Sequence, residues 1–255
     1  MLDLGLKTKL ALLATIAVTV VMLSSAGGAY ASSSSISQPV MVGSQWAVYE
    51  QTTLPNGGLN FYPAAHATTL PNDGGVQFAM PDATGSSPTF VNYLLDTFTA
   101  NLSEANVLTA TINVVASSGS TAFLGDTFGG YNLPTPSFVR LFIQANLPSN
   151  GSAWCVGGNS NIDNYWWADP SFGSYTFVNG GSTSTTMLQV PLNPADWSGI
   201  CGNPATLNTT AFDSAISDIK YVGLSFGSGY FYASGVGVDG GTGTANFQLE
   251  SYTIS

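Results

Sequence analysis

Basic side chains are almost missing from this sequence: four Lys and Arg stand against 14 Asp and Glu in 255 residues, a net charge of −10. A chain so short of cations cannot neutralise a run of phosphates, so nucleic acid is excluded as a partner and an anionic membrane surface is a poor one. Histidine occurs once, as His66 in YPAAHATTLPN. No G-x-S-x-G elbow accompanies it in a strand-to-helix context, so it has no serine triad to serve. One histidine and two cysteines do not make a zinc site. Glutamates are few and scattered, at Glu50, Glu104 and Glu250. Only Asp163 and Asp169, either side of a Trp pair, suggest the two carboxylates that glycoside hydrolysis requires. Nothing here indicates an enzyme.

Long apolar runs are missing as well, apart from one at the start. Lys7 and Lys9 precede an uncharged stretch from Leu10 to Leu23, and Ala29-Tyr30-Ala31 follows with small residues where a signal peptidase reads. The stretch is shorter than the roughly 20 residues of a membrane-spanning helix. Residues 1–31 therefore read as a secretory signal peptide, 32–38 as a polar linker, and 39–255 as one domain, secreted or held at the cell surface, with no transmembrane segment after cleavage. Removal of 1–31 leaves two basic and 13 acidic residues, a net charge of about −11. In an exported chain Cys155 and Cys201 read as one disulfide. Few ionic groups also means few ion pairs to lose in acid, so the domain is expected to tolerate low pH.

What is abundant is apolar and aromatic: 44% and 12% of the residues, with 29 glycines. That composition is opposite to the low hydrophobicity and high charge of disorder. Leu108, Ala110, Ile112 and Val114 alternate with polar neighbours, as a half-buried strand requires. In FVRLFIQA, Val139, Leu141, Ile143 and Ala145 alternate with Phe138, Arg140, Phe142 and Gln144, so both faces are expected to be covered. TTMLQVPL puts Leu188, Val190 and Leu192 on one side, and Pro191 marks an edge or a bulge. One helix is predicted in TTAFDSAISDI, with Phe212, Ala215, Ile216 and Ile219 on its apolar stripe and Thr209 or Thr210 as its cap. The period then changes to two, with Val222, Leu224 and Phe226 against Tyr221, Gly223 and Ser225. The fold class is all-β: an antiparallel two-sheet β-sandwich of jelly-roll type with one short helix, preceded by the signal helix.

The stretch GLSFGSGYFYASGVGV is not a phosphate loop, because no helix and no Lys follow its glycines. It reads as a strand, a turn and an aromatic strand. Neighbouring side chains on a strand point to opposite faces, so in NYWWADP one of Trp166 and Trp167 must face out or lie under a loop. Trp166, Trp167, Tyr230 and Tyr232 are the candidate ligand-binding residues, since an amphipathic ring offers a flat platform to a sugar. Glu50, Asp239 and Glu250 lie near the two ends of the domain and are the candidate ligands of a structural calcium ion, the one cofactor considered.

The order of FVRLFIQA, YWWADP, TTMLQVPLNPADW, AFDSAISDIKYVGLSFGSGYFYASGVGV and ANFQLESYTI resembles that of exported bacterial jelly-roll proteins. It is similar to the laminin IV and galactose-binding-like sandwiches over Phe138 to Ile254, about half the chain. The resemblance implies a fold and carries no ligand motif. The leading functional expectation is a non-catalytic extracellular module with weak glycan binding. A structural or self-associating matrix protein is the alternative, and a secreted glycan hydrolase the third.

Overall fold

The computed structural model describes residues 36–54, 59–71, 74–84, 86–126, 136–146, 164–169, 173–180, 185–200, 202–228 and 233–255. The signal peptide, both cysteines, and Tyr230 and Tyr232 lie outside the described residues. Residues 36–255 form one compact unit. Its first residues are tied down, although 32–38 read as linker: the Gln38 side chain accepts from the Ile254 N–H at 2.7 Å and donates to the Ile254 carbonyl at 2.6 Å.

The strands are β1 Trp46–Thr53, β2 Leu59–His66, β3 Thr68–Thr69, β4 Val76–Ala79, β5 Thr89–Asp96, β6 Val107–Ala116, β7 Phe123–Gly125, β8 Ser137–Ala145, β9 Tyr165–Ala168, β10 Ser174–Thr176, β11 Thr186–Pro191, β12 Trp197–Gly199, β13 Ile219–Ser228, β14 Val236–Val238 and β15 Ala245–Ile254. The α-helix α1 spans Thr209–Ser217. The larger sheet runs β12-β9-β8-β13-β5-β1-β2, with β10 beside β8 and β14 beside β5 and β7. The smaller runs β11-β6-β15-β4-β3. The ladders between these strands are antiparallel, and the two sheets make a β-sandwich. Among the described residues, no helix is long and apolar enough to cross a membrane.

The core follows from period-two patterning. Val222, Leu224 and Phe226 of β13 are fully buried, as are Val139, Leu141 and Ile143 of the adjoining β8. From the smaller sheet, Leu108, Ala110, Ile112 and Val114 of β6 and Phe247 and Leu249 of β15 face them. Phe226 and Phe247 meet edge to face at 4.9 Å between centroids, and Phe78 of β4 joins both, at 5.8 and 5.6 Å. A bulge at Leu249/Ser251 resets β15, so that Tyr252 and Ile254 continue its buried face. Pro191 ends β11, an edge strand, where its missing N–H costs no ladder bond.

The helix forms where Phe212, Ala215 and Ile216 predict, with these and Ala211 buried, but it ends at Ser217 and Ile219 is already the first residue of β13. Its cap is one residue earlier than the threonines: the Asn208 side chain accepts from the Ala211 N–H at 3.2 Å. Phe212 then stands edge-on to Trp166 at 5.2 Å and near Trp197 at 6.1 Å, which docks the helix on the end of the larger sheet.

Two substitutions test this packing by equilibrium denaturation. Phe247→Ala removes the ring shared by Phe78 and Phe226 and is expected to cost about 3–5 kcal/mol. Gly223→Ala would put a methyl carbon 2.1 Å from the Leu94 carbonyl oxygen of β5, and overpacking of that kind costs about 1–3 kcal/mol or more. A loss well under about 1 kcal/mol in either variant contradicts the assigned register.

Candidate functional site

The outer face of the larger sheet carries the site. With the alternate residues of β8 and β13 committed to the core, Arg140, Phe142 and Gln144 of β8 and Tyr221, Gly223 and Ser225 of β13 are turned outward. Strand pairing lines them up in rows. Trp167, Phe142, Gly223 and Leu95 form an apolar row across β9, β8, β13 and β5. Beside it run Ser174, Arg140, Ser225, Tyr93 and Tyr49, from β10 to β1. On the other side stand Tyr165, Gln144 and Tyr221.

Leu95, Phe142, Trp167 and Ala233 make a second apolar cluster separate from the core. Tyr49, Tyr93, Tyr165, Tyr221 and Ile200 pack against it and remain partly exposed. Gly223 leaves room beside Phe142, whose ring reaches Tyr93 at 4.9 Å, Trp167 at 5.3 Å and Tyr165 at 6.2 Å. Tyr165 and Trp167 stack at an interplanar angle of 18°. Lys220 places its ammonium 5.1 Å from the Tyr221 ring centre, and buried Arg140 lies 5.2 Å from that of Phe138. Burial holds the Tyr49 hydroxyl above its ordinary pKa, with Tyr221 adding to the effect, and burial and then Tyr165 do the same for Tyr93. Both phenols therefore stay protonated and able to donate hydrogen bonds at neutral pH.

A buried polar network anchors the return of the chain onto this face. Gln51 donates to the Asp126 carboxylate and, at 2.7 Å, to the Ser234 carbonyl. Asn92 donates to the Gln51 side-chain oxygen at 2.9 Å and to the Ala233 carbonyl at 2.8 Å. The Ser234 hydroxyl accepts from the Ser228 N–H at 2.9 Å. Gly235, at φ +105°, has no room for a side chain, since a Cβ there would stand 2.7 Å from that of Phe90. Ala233 is thus fixed on the aromatic face.

The Trp pair alternates as expected, Trp166 inward against Phe212 and Trp167 outward against Phe142. Neither is an exposed platform, because Trp166 is 2% and Trp167 1% exposed. Trp167 instead forms the floor on which the tyrosines rest. The calcium trio does not assemble: Glu50, on β1 of the larger sheet, accepts from the Tyr62 hydroxyl at 3.4 Å, and Glu250, on β15 of the smaller sheet, accepts from the Thr185 hydroxyl at 3.2 Å. Asp239 closes a turn by accepting from the Gly241 N–H at 3.0 Å. Among the described residues no three His, Cys, Asp or Glu side chains gather into a metal-sized group. Asp163 lies outside the described residues, and Asp169 is the neighbour that, after desolvation, helps raise the pKa of Asp196. His66 is exposed, and no hydrogen bond joins it to Ser44 or Asp96, with which it borders a cavity.

The chain matches no protein-family model and no curated protein.

Three carboxyls are held above their ordinary pKa by loss of solvent. Burial raises the pKa of Asp96 to about 6, against an opposing hydrogen bond from the Val40 N–H, and burial also raises Glu50 and Asp196. A carboxyl with a raised folded-state pKa takes up protons on folding, so it penalises stability as pH rises between its unfolded and folded values. For Asp96 that window runs from about 4 to about 6. The thermal midpoint is therefore expected to be higher at pH 4.5 than at pH 7.5, with Asp96→Asn narrowing the difference by raising the pH 7.5 value. A midpoint that falls steadily on acidification contradicts this.

Proposed function

We propose that this chain is an exported, non-catalytic β-sandwich module that binds polysaccharide on the outer aromatic face of its larger sheet. One observation carries the reading: Tyr165, Gln144 and Tyr221 stand side by side on β9, β8 and β13, all partly exposed, over the floor made by Phe142 and Trp167. Two rings flanking an amide offer the apolar faces of a pyranose something to lie on, and its hydroxyls both a donor and an acceptor. Tyr93 and Tyr49 extend the same surface across β5 and β1.

Charge supports the same class of ligand. A neutral polysaccharide needs no cationic groove, and the surface has almost none to offer. The secretory signal read in residues 1–31 supports export to where polysaccharide is met, and the resemblance to exported jelly-roll proteins fits that setting.

Affinity electrophoresis of the mature domain through gels containing soluble polysaccharides tests the reading. Retardation by at least one neutral polysaccharide is expected, weakened about fivefold in Tyr165→Ala and in Tyr221→Ala, the loss of roughly 1 kcal/mol of ring contact. Concentration-dependent oligomers with no retardation by any polysaccharide would overturn it in favour of self-association.

A further inference from the structure

A second candidate site lies where β5 ends, at Asp96, which pairs with Val222 of β13. Gln38, Val40, Ser44, Gln45, Ala47, His66 and the run from Asp96 to Thr99 border a cavity of about 460 Å³, within the range of small-molecule pockets. Asp96 is its buried anchor, only 4% exposed. The Val40 N–H donates to its carboxylate, and among the described residues no Lys or Arg pairs with it. The chain has no cation to spare for it: the basic residues beyond the signal peptide are Arg140, held at the far end of β8, and Lys220, over the Tyr221 ring.

A buried carboxylate without a counter-charge is costly, and an incoming cation would remove the cost. The other groups on the cavity wall define what else the ligand carries. Ser44, Gln45, Thr97 and Thr99 are exposed around the opening with hydroxyl and amide groups, while Phe98 and Ala47 offer apolar surface. A divalent metal is a poor fit, because Asp96 is the sole carboxylate in the wall and no metal-sized group forms among the described residues. We propose that this cavity binds a small hydroxylated amine of amino-sugar type, with the ligand ammonium on Asp96 and its hydroxyls on the Ser44, Thr97 and Thr99 rim.

The titratable groups facing Asp96 are His66, from β2 across the cavity, and the Tyr252 hydroxyl, from β15 beneath it. Burial holds the Tyr252 hydroxyl above its ordinary pKa, so it carries no charge at neutral pH. Binding is therefore expected to weaken on acidification, when Asp96 takes up its proton.

The test is isothermal titration of the mature domain with glucosamine, beside glucose and N-acetylglucosamine as neutral controls, at pH 7.5. Glucosamine is expected to bind at least about tenfold more tightly than either control, and Asp96→Asn to lose that margin. Equal affinity for glucose, or an unchanged glucosamine affinity in Asp96→Asn, overturns the proposal. Should Asp96→Asn fail to fold, carboxyl carbon NMR of the wild type decides: glucosamine must lower the titration midpoint of Asp96, and an unmoved midpoint overturns the site.

Discussion

The packing of Phe226 against Phe247 and Phe78 determines which side of every strand in the larger sheet faces out. Because side chains alternate along a strand, burying Val222, Leu224 and Phe226 of β13 forces Tyr221, Gly223 and Ser225 to the opposite face. The pairing of β13 with β8 and β5 passes the same choice to Phe142 and Gln144 on one side and Tyr93 and Leu95 on the other. A one-residue slip would bury the tyrosines and expose the phenylalanines. The position of the tyrosine face is thus a consequence of core registry, and Gly223, pressed against the Leu94 carbonyl, is where the two requirements meet.

Much of this was legible in the chain alone. The strands in FVRLFIQA, TTMLQVPL and ANFQLESYTI, the short helix feeding a buried strand, and the opposite orientations of Trp166 and Trp167 all follow from periodicity, although the switch comes before Ile219 and not after it. The tyrosine face was not legible, because Tyr49, Tyr93, Tyr165 and Tyr221 lie on four strands far apart in sequence and meet only through strand pairing. Its trace was the outward position each occupies in an otherwise buried strand. The Trp pair drew attention because its members are adjacent, yet Phe142 and the stacked Tyr165 cover Trp167. The calcium trio failed for a related reason: nearness to the chain ends does not bring Glu50 and Glu250 together when they lie in different sheets.

Scarcity of cations runs through both proposed sites. On the aromatic face it leaves ring surface, hydroxyls and amides as the means of recognition, which suits a neutral chain of sugars. In the end cavity it leaves Asp96 without a counter-charge among the described residues, which suits a ligand that brings its own charge. Burial, with no cation to offset it, holds the Asp96 carboxyl above its ordinary pKa, so its protonation favours the fold.

The central claim is that the outer face of the larger sheet holds the polysaccharide, and covalent footprinting of tyrosines tests it most directly. The mature domain would be acetylated at its phenols with and without a retained polysaccharide and the modified residues read by mass spectrometry. Protection concentrated at Tyr165 and Tyr221, with Tyr62 of β2 unchanged, is the predicted result. Equal modification of Tyr165 and Tyr221 in both samples, with protection at Tyr62 or at no tyrosine, would contradict the account.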